Sequence, residues 1–288
     1  MIPLRILIAV NFTQSSDKAI RFAVQLLHTL NCHIRLIYCY SDFIEREEFA
    51  KLKLNIETAS LGVRDVLSQK MEKQEASINQ QWESLDPHGE LTLSAMSVKG
   101  DVDTMIGLES ESWQPQLIVA GSSVEKNSLT ELMESTASDI IEKTAFPVLV
   151  VPKNVAIKSE PMDQIIFLTN FKSEEYISLH RLIEMLPGKG CMLHCIRYIH
   201  DRPDQWDHMR LEALREYINH TYPNQRIECE TLTGDHHLEM LNKYIKENQI
   251  ELLAMTRLRR KAIFKFLHPD ISRKLLHHSL MPLLVFNE

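Results

Sequence analysis

Two stretches of this 288-residue chain, "ILIAVNF" at 6–12 and "IIFLTNF" at 165–171, are versions of one another, and the segments after each recur in the same order. The β-like run "HIRLIYCY" (33–40) is answered by "CMLHCIRY" (191–198), and "LTLSAMSVKGD" (91–101) by "RIECETLTGD" (226–235), both closing on Gly-Asp. "LIVAG" (117–121) is answered by "LLAMT" (252–256). From Gly121 to Pro147 is 26 positions, and from Thr256 to Pro282 is also 26; "FPVLVV" then matches "MPLLVF". Agreement in order and spacing over five strand-like segments makes the chain one domain built twice. The expected domains are 1–153 and 163–288, joined by a polar segment from Lys153 to Met162 that Pro152 and Pro161 bracket.

Between the strand-like runs lie helical patterns. In "TQSSDKAIRFAVQLLHTL" (13–30), Ile20, Ala23, Val24, Leu27 and Leu30 fall on one face, and Ser15 is the expected N-cap. Residues 42–86 read as mostly helical and charged, with Leu67, Met71, Ile78 and Trp82 sharing a face. That stripe is expected to cover the sheet or a neighbouring helix, with a partner-binding face as the alternative. Strands alternating with helices imply a parallel sheet covered on both sides.

Charge narrows the function. Residues 1–153 hold 14 Lys/Arg against 21 Asp/Glu, a net of −7, and 154–288 hold 18 of each. Neither half has the basic excess of a nucleic-acid binder. No apolar run approaches the roughly 20 residues that span a bilayer, so no membrane role is expected. Five scattered cysteines suit a reduced, cytoplasmic protein.

With these features in order, the chain resembles the universal stress proteins in tandem form. The resemblance rests on "RILIAVNFTQSSDKAIRFAVQLL", on Gly100-Asp101, and on the Pro-Val-Leu-Val-Val ending, and it covers nearly the whole chain twice. It implies two doubly wound, Rossmann-like or flavodoxin-like α/β domains, each with a five-stranded parallel sheet of order 3-2-1-4-5. It also implies a mostly non-enzymatic, stress-linked role, with adenine nucleotide bound in one branch of the family. That branch carries Gly-x2-Gly-x9-Gly-Ser/Thr after the fourth strand, because glycines let backbone N–H groups approach phosphate at a helix start. Here Gly121 matches the first glycine and Ser135 the final hydroxyl, but Val124 and Glu134 stand at the other two glycine positions. The family's Asp after strand one is Asn11. The second copy has Thr256, Arg259, Pro269 and Asp270 at the four positions, beside basic Arg257, Arg260, Lys261 and Lys265. That run is either a side-chain anion grip or a solvated loop.

The candidate ligand residues are therefore Asn11, Gly121, Ser122, Ser135 and Thr136. No cofactor is assigned; if the cleft takes one, the resemblance implies ATP or AMP. The expected role is non-catalytic binding with a degenerate nucleotide site in the first domain, and the alternative is an ATP/AMP sensor with one working cleft. A nucleotide hydrolase finds no Walker lysine, paired carboxylates or metal-ligand cluster to support it. Ser122 and Ser123 lack the Gly-x-Ser-x-Gly of a nucleophile elbow. Cys191 and Cys195, four apart on one strand, lie about 13 Å apart, too far for one zinc, and His194 faces the other way. The pairs His236-His237 and His277-His278 point in different directions on a helix. The two domains are expected to pair with each other through their apolar final strands, as universal stress proteins do, since such edges are poorly left in water. A homodimer through the long acidic segment, and a protein partner of unknown identity, stay open.

Overall fold

The computed structural model describes residues 3–40, 63–122, 136–157, 162–186, 190–199, 203–234, 237–257 and 281–287. They fall into two units, one within 1–157 and the other from 158 on. The first contains β1 (Leu4–Ala9), α1 (Gln14–Leu27), β2 (Cys32–Tyr40), α2 (Val63–Ser84), β3 (Leu91–Lys99), α3 (Val102–Trp113), β4 (Leu117–Ser122), α4 (Thr136–Lys143) and β5 (Val148–Pro152). Its strands pair in parallel in the order β3-β2-β1-β4-β5, with Ile6 opposite both Ile34 and Leu117, and Ile118 opposite Val148. The second contains β6 (Gln164–Leu168), α5 (Tyr176–Met185), β7 (Met192–Ile199), α6 (Gln205–Thr221), β8 (Arg226–Thr233), α7 (His237–Glu247), β9 (Leu252–Arg257) and β10 (Leu283–Asn287). The order there is β8-β7-β6-β9-β10, again all parallel. Both sheets thus have the order 3-2-1-4-5.

Central strands of such a sheet are covered on both faces, so they read as unbroken apolar runs. Ile6, Leu7 and Ile8 of β1 and Leu117, Ile118 and Val119 of β4 have no exposed surface. Strand β3, at the end of its sheet, alternates instead. Leu67, Met71, Ile78 and Trp82 of α2 are all buried, so the stripe serves the core. Residues 42–62, expected to be largely helical, lie outside the described residues.

The backbone repeats its unusual conformations. Phe12 and Phe171, each following the Asn after a first strand, have φ of 56° and 58°. Gln114 and Gln249, each just before a fourth strand, have φ of 53° and 51°. Gly100 and Gly234, each closing a third strand, have φ of +146° and +151°, which only glycine adopts readily. A left-handed Phe costs about 1–2 kcal/mol, so its recurrence at the same place reflects a turn that the fold imposes.

One local expectation is corrected. Helix α1 begins at Gln14 with Thr13 as its N-cap residue, not at Ser15. Asn11 Oδ1 accepts from the Thr13 N–H (3.2 Å) and hydroxyl (2.6 Å), and the left-handed Phe12 swings Thr13 to the helix end. Ser15 falls in the first turn, buried, with its Oγ 2.8 Å from Thr13 Oγ1.

Candidate ligand cleft

Strands β1 and β4 are neighbours whose onward connections leave in opposite directions, and in a doubly wound sheet the crevice opens beyond the carboxyl ends of such a pair. A cleft of ≈140 Å³ lies there, small against the roughly 300–1,000 Å³ of typical small-molecule sites. Its walls come from the ends of β1 (Ala9, Val10, Asn11), β2 (Ile37, Cys39) and β4 (Ala120, Gly121, Ser122). The starts of α1 (Ser15, Ser16), α3 (Val102) and α4 (Thr136, Ala137, Ile140) add further described walls. Four of the five candidate residues, Asn11, Gly121, Ser122 and Thr136, therefore line one cavity. Ser135 lies outside the described residues, as do Val124, Glu134 and Ser123.

The chemistry of this lining is uniform. Every described residue in it is uncharged, and the polar groups these residues offer are hydroxyls, one amide, one thiol and the backbone. Asn11 spends its carbonyl oxygen on Thr13, and the amide NH2 is the part of that side chain left to a ligand. Ser16 Oγ donates to the Thr13 carbonyl at 3.0 Å. Burial pushes the Cys39 thiol up to about 12, so it stays protonated and is a poor nucleophile.

Gly121 has a second reason to be glycine. A Cβ there would lie 2.4 Å from the Ser15 carbonyl oxygen and 2.9 Å from the Ser16 nitrogen. The first turn of α1 packs directly on β4, and the missing side chain serves that contact whether or not a ligand is present.

The second unit fills the same place differently. Glu175, 2% exposed, turns its Oε2 back to accept from the Thr169 hydroxyl (2.6 Å), the Asn170 N–H (2.8 Å) and the Lys172 N–H (3.3 Å). A resident carboxylate thus occupies donors of the β6–α5 turn, where an incoming anion would look for them. Asn170 Nδ2 and Thr256 Oγ1 are buried without a hydrogen-bond partner among the described residues. Sequence reasoning missed Glu175; the signal was Thr169 preceding a Glu by six residues across a turn, which has no distinctive spacing. Of the basic run, only Arg257 is described: it is buried and its Nη1 donates to Asn287 Oδ1 at 3.4 Å. Arg259, Arg260, Lys261, Lys265, Pro269 and Asp270 lie outside the described residues, as do His236, His277 and His278. His194 is buried with its ring nitrogens 2.8 Å from the Tyr244 hydroxyl and 2.9 Å from Gln164 Oε1. Among the described residues, no three His, Cys, Asp or Glu gather to hold a metal, and no helix is long and apolar enough to cross a membrane.

Two parallel strand sets of order 3-2-1-4-5, the first with a crevice at its switch point, define a tandem doubly wound α/β protein. A sequence model of the universal stress protein family matches residues 4–152, more than half of the chain, and the chain belongs to that family. A universal stress protein from Archaeoglobus fulgidus DSM 4304 superposes with a TM-score of 0.67 at 17% identity, covering 99% of this chain and 96% of that one. A putative universal stress protein from Pseudomonas aeruginosa UCBPP-PA14 gives 0.54 at 15% identity, covering 99% and 93%. The cytoplasmic domain of a prokaryotic cation chloride cotransporter also gives 0.54, at 13% identity, covering 98% and 95%. At these identities the likeness concerns the fold. A search of curated proteins found no match.

Proposed function

We propose that this chain is a non-catalytic stress-response protein that acts by binding, and that the cleft of its first domain takes an uncharged, adenosine-like ligand in preference to a nucleoside triphosphate. The observation that carries this reading is the lining: none of the described residues around the ≈140 Å³ cleft brings a cation to meet phosphate. The sequence adds Glu134 at a family glycine position. A carboxylate about 4 Å from a phosphate charge costs about 4 kcal/mol at an effective dielectric near 20, roughly a thousandfold in affinity. Catalysed phosphoryl transfer needs positioned cations and an oriented nucleophile, and Cys39 is held protonated.

Calorimetric titration of the full chain with adenosine and with ATP tests this. Adenosine is expected to bind at least about a hundredfold more tightly than ATP. The double substitution Val124→Gly, Glu134→Gly should recover ATP binding, and no hydrolysis of ATP with Mg²⁺ should rise above background. Micromolar binding of ATP by the unaltered chain would favour the ATP/AMP sensor instead.

The same proposal includes pairing of the two domains through "FPVLVV" and "MPLLVF", whose apolar character suits a covered strand edge. If a protease site is placed between 153 and 162 and cut, the halves should still co-elute on size exclusion; separate elution would refute the pairing.

A further inference from the structure

We infer that Cys229 and Cys195 form a hydroperoxide-sensitive dithiol in the second domain, in which oxidation of Cys229 is captured by Cys195 as a reversible disulfide joining β8 to β7. The two residues are in register on neighbouring parallel strands, so their side chains leave the same face of the sheet. Adjacent strands run about 4.8 Å apart, inside the roughly 4.4–6.8 Å between Cα atoms that a disulfide bridges. Both cysteines are free thiols, Cys195 with no exposed surface and Cys229 with 5%. A small oxidant therefore reaches Cys229 first, with Cys195 placed behind it. Strand β8 ends its unit's strand order, and Cys229 is the one residue of it that is buried, so local opening there is cheaper than in the central strands.

The greater exposure of Cys229 and the guanidinium beside it divide the roles. The neighbouring Cys229 sulfur and complete burial both hold the Cys195 thiol well above its ordinary range. The Cys195 neighbour, with the Arg215 guanidinium nearby, lowers the Cys229 thiol against its own burial. Arg215 is anchored by donating to the Cys229 carbonyl at 2.9 Å. By contrast, burial pushes Cys32, Cys39 and Cys191 up to about 12. The thiolate is the reactive form, so Cys229 is set apart from these three.

The chemistry balances with a hydroperoxide as oxidant. The Cys229 thiolate attacks the terminal peroxide oxygen, the O–O bond breaks, and the leaving oxygen takes a proton to become water or an alcohol. Cys229 is then a sulfenic acid, oxidised by two electrons. The Cys195 sulfur attacks it, the S–O bond breaks, an S–S bond forms, and the Cys195 proton leaves with the hydroxyl as water. A dithiol reductant returns both thiols. In-register parallel neighbours hold their Cβ atoms farther apart than a relaxed disulfide does, which makes the bond easily reduced and suits it to a switch.

The test treats the full-length reduced protein with hydrogen peroxide at neutral pH, followed by intact mass and peptide mapping. The expected result is loss of two hydrogens, a single cross-linked peptide pair carrying Cys195 and Cys229, and reversal by dithiothreitol. Cys229 should react at least about tenfold faster than Cys32, Cys39 and Cys191. In Cys195→Ser the cross-link should vanish and Cys229 should be trapped by dimedone as the sulfenic acid. A bridge between any other pair, a sulfinic acid at Cys229 of the unaltered protein, or five thiols still alkylatable after peroxide would each overturn the proposal. Should Cys195→Ser fail to fold, the map of the unaltered protein decides alone.

Discussion

Gly121→Ala should destabilise the first domain by about 3 kcal/mol, near the upper end for forcing atoms into a packed interior. The new Cβ would sit 2.4 Å from the Ser15 carbonyl oxygen, 2.5 Å from its carbon and 2.9 Å from the Ser16 nitrogen. These are backbone atoms, so no rotamer change relieves the contact. Ser15 and Ser16 are buried, and β4 is held in register between β1 and β5, with Gly121 opposite Val151. Either α1 lifts or β4 shifts, and each loses packing against the core. Urea unfolding should show a lower midpoint at unchanged slope. Gly107→Ala is the control: it sits in α3, its Cβ would meet nothing within 4 Å, and the change should stabilise by up to about 1 kcal/mol. If Gly121→Ala instead left stability intact and abolished ligand binding, the glycine would belong to the ligand and not to the fold.

Arg197→Met should cost the second domain about 1–3 kcal/mol at neutral pH, the range for leaving a partly buried polar group without its partner. Arg197 Nη1 on β7 lies 2.5 Å from Asp207 Oδ1 at the start of α6, with side chains 15% and 10% exposed. Asp207 is also half of a reciprocal cap: its Oδ2 accepts from the Asp204 N–H at 3.1 Å, and its own N–H donates to Asp204 Oδ1 at 2.8 Å. Burial alone would raise the Asp207 carboxyl, but the Asp204 N–H and the Arg197 guanidinium outweigh it and hold the group below its ordinary value. A depressed carboxylate contributes stability above its unfolded pKa of about 3.9 and loses it as pH falls through the folded value. The gap between the unaltered protein and Arg197→Met should therefore be full at pH 7 and shrink below about pH 4. Arg210, 47% exposed with Nη1 3.9 Å from the same oxygen, should matter by less than about 1 kcal/mol when changed to Ala. Equal losses at pH 7 and pH 3 would show that Arg197 acts through packing alone.

Much of this protein was legible in its residues because the signals are local and occur twice. Apolar runs such as Ile6–Ile8 and Val148–Val151 read as covered strands, and the helical spacing of Leu67, Met71, Ile78 and Trp82 reads as a face turned to a core, where all four are buried. Gly100 and Gly234 mark turns that need φ beyond the reach of other residues, and the matched spacings ahead of Pro147 and Pro282 announced the duplication. These features depend on side-chain period and backbone freedom, which a short window of sequence carries. What only the tertiary structure decided is which residues meet across strands and crossovers. Along the chain the sequence offers Cys191 and Cys195 as neighbours, yet parallel register sets Cys195 beside Cys229, 34 positions on. Arg197 finds Asp207, and Glu175 closes over Thr169, because a strand end and the helix after it converge where the chain reverses. Gly121 reads in sequence as room for phosphate; in the fold that room is taken by the backbone of Ser15, since α1 packs across the end of β4. Spacing along a chain reports period and propensity, whereas these contacts are set by strand register and by the crossing of elements distant in sequence.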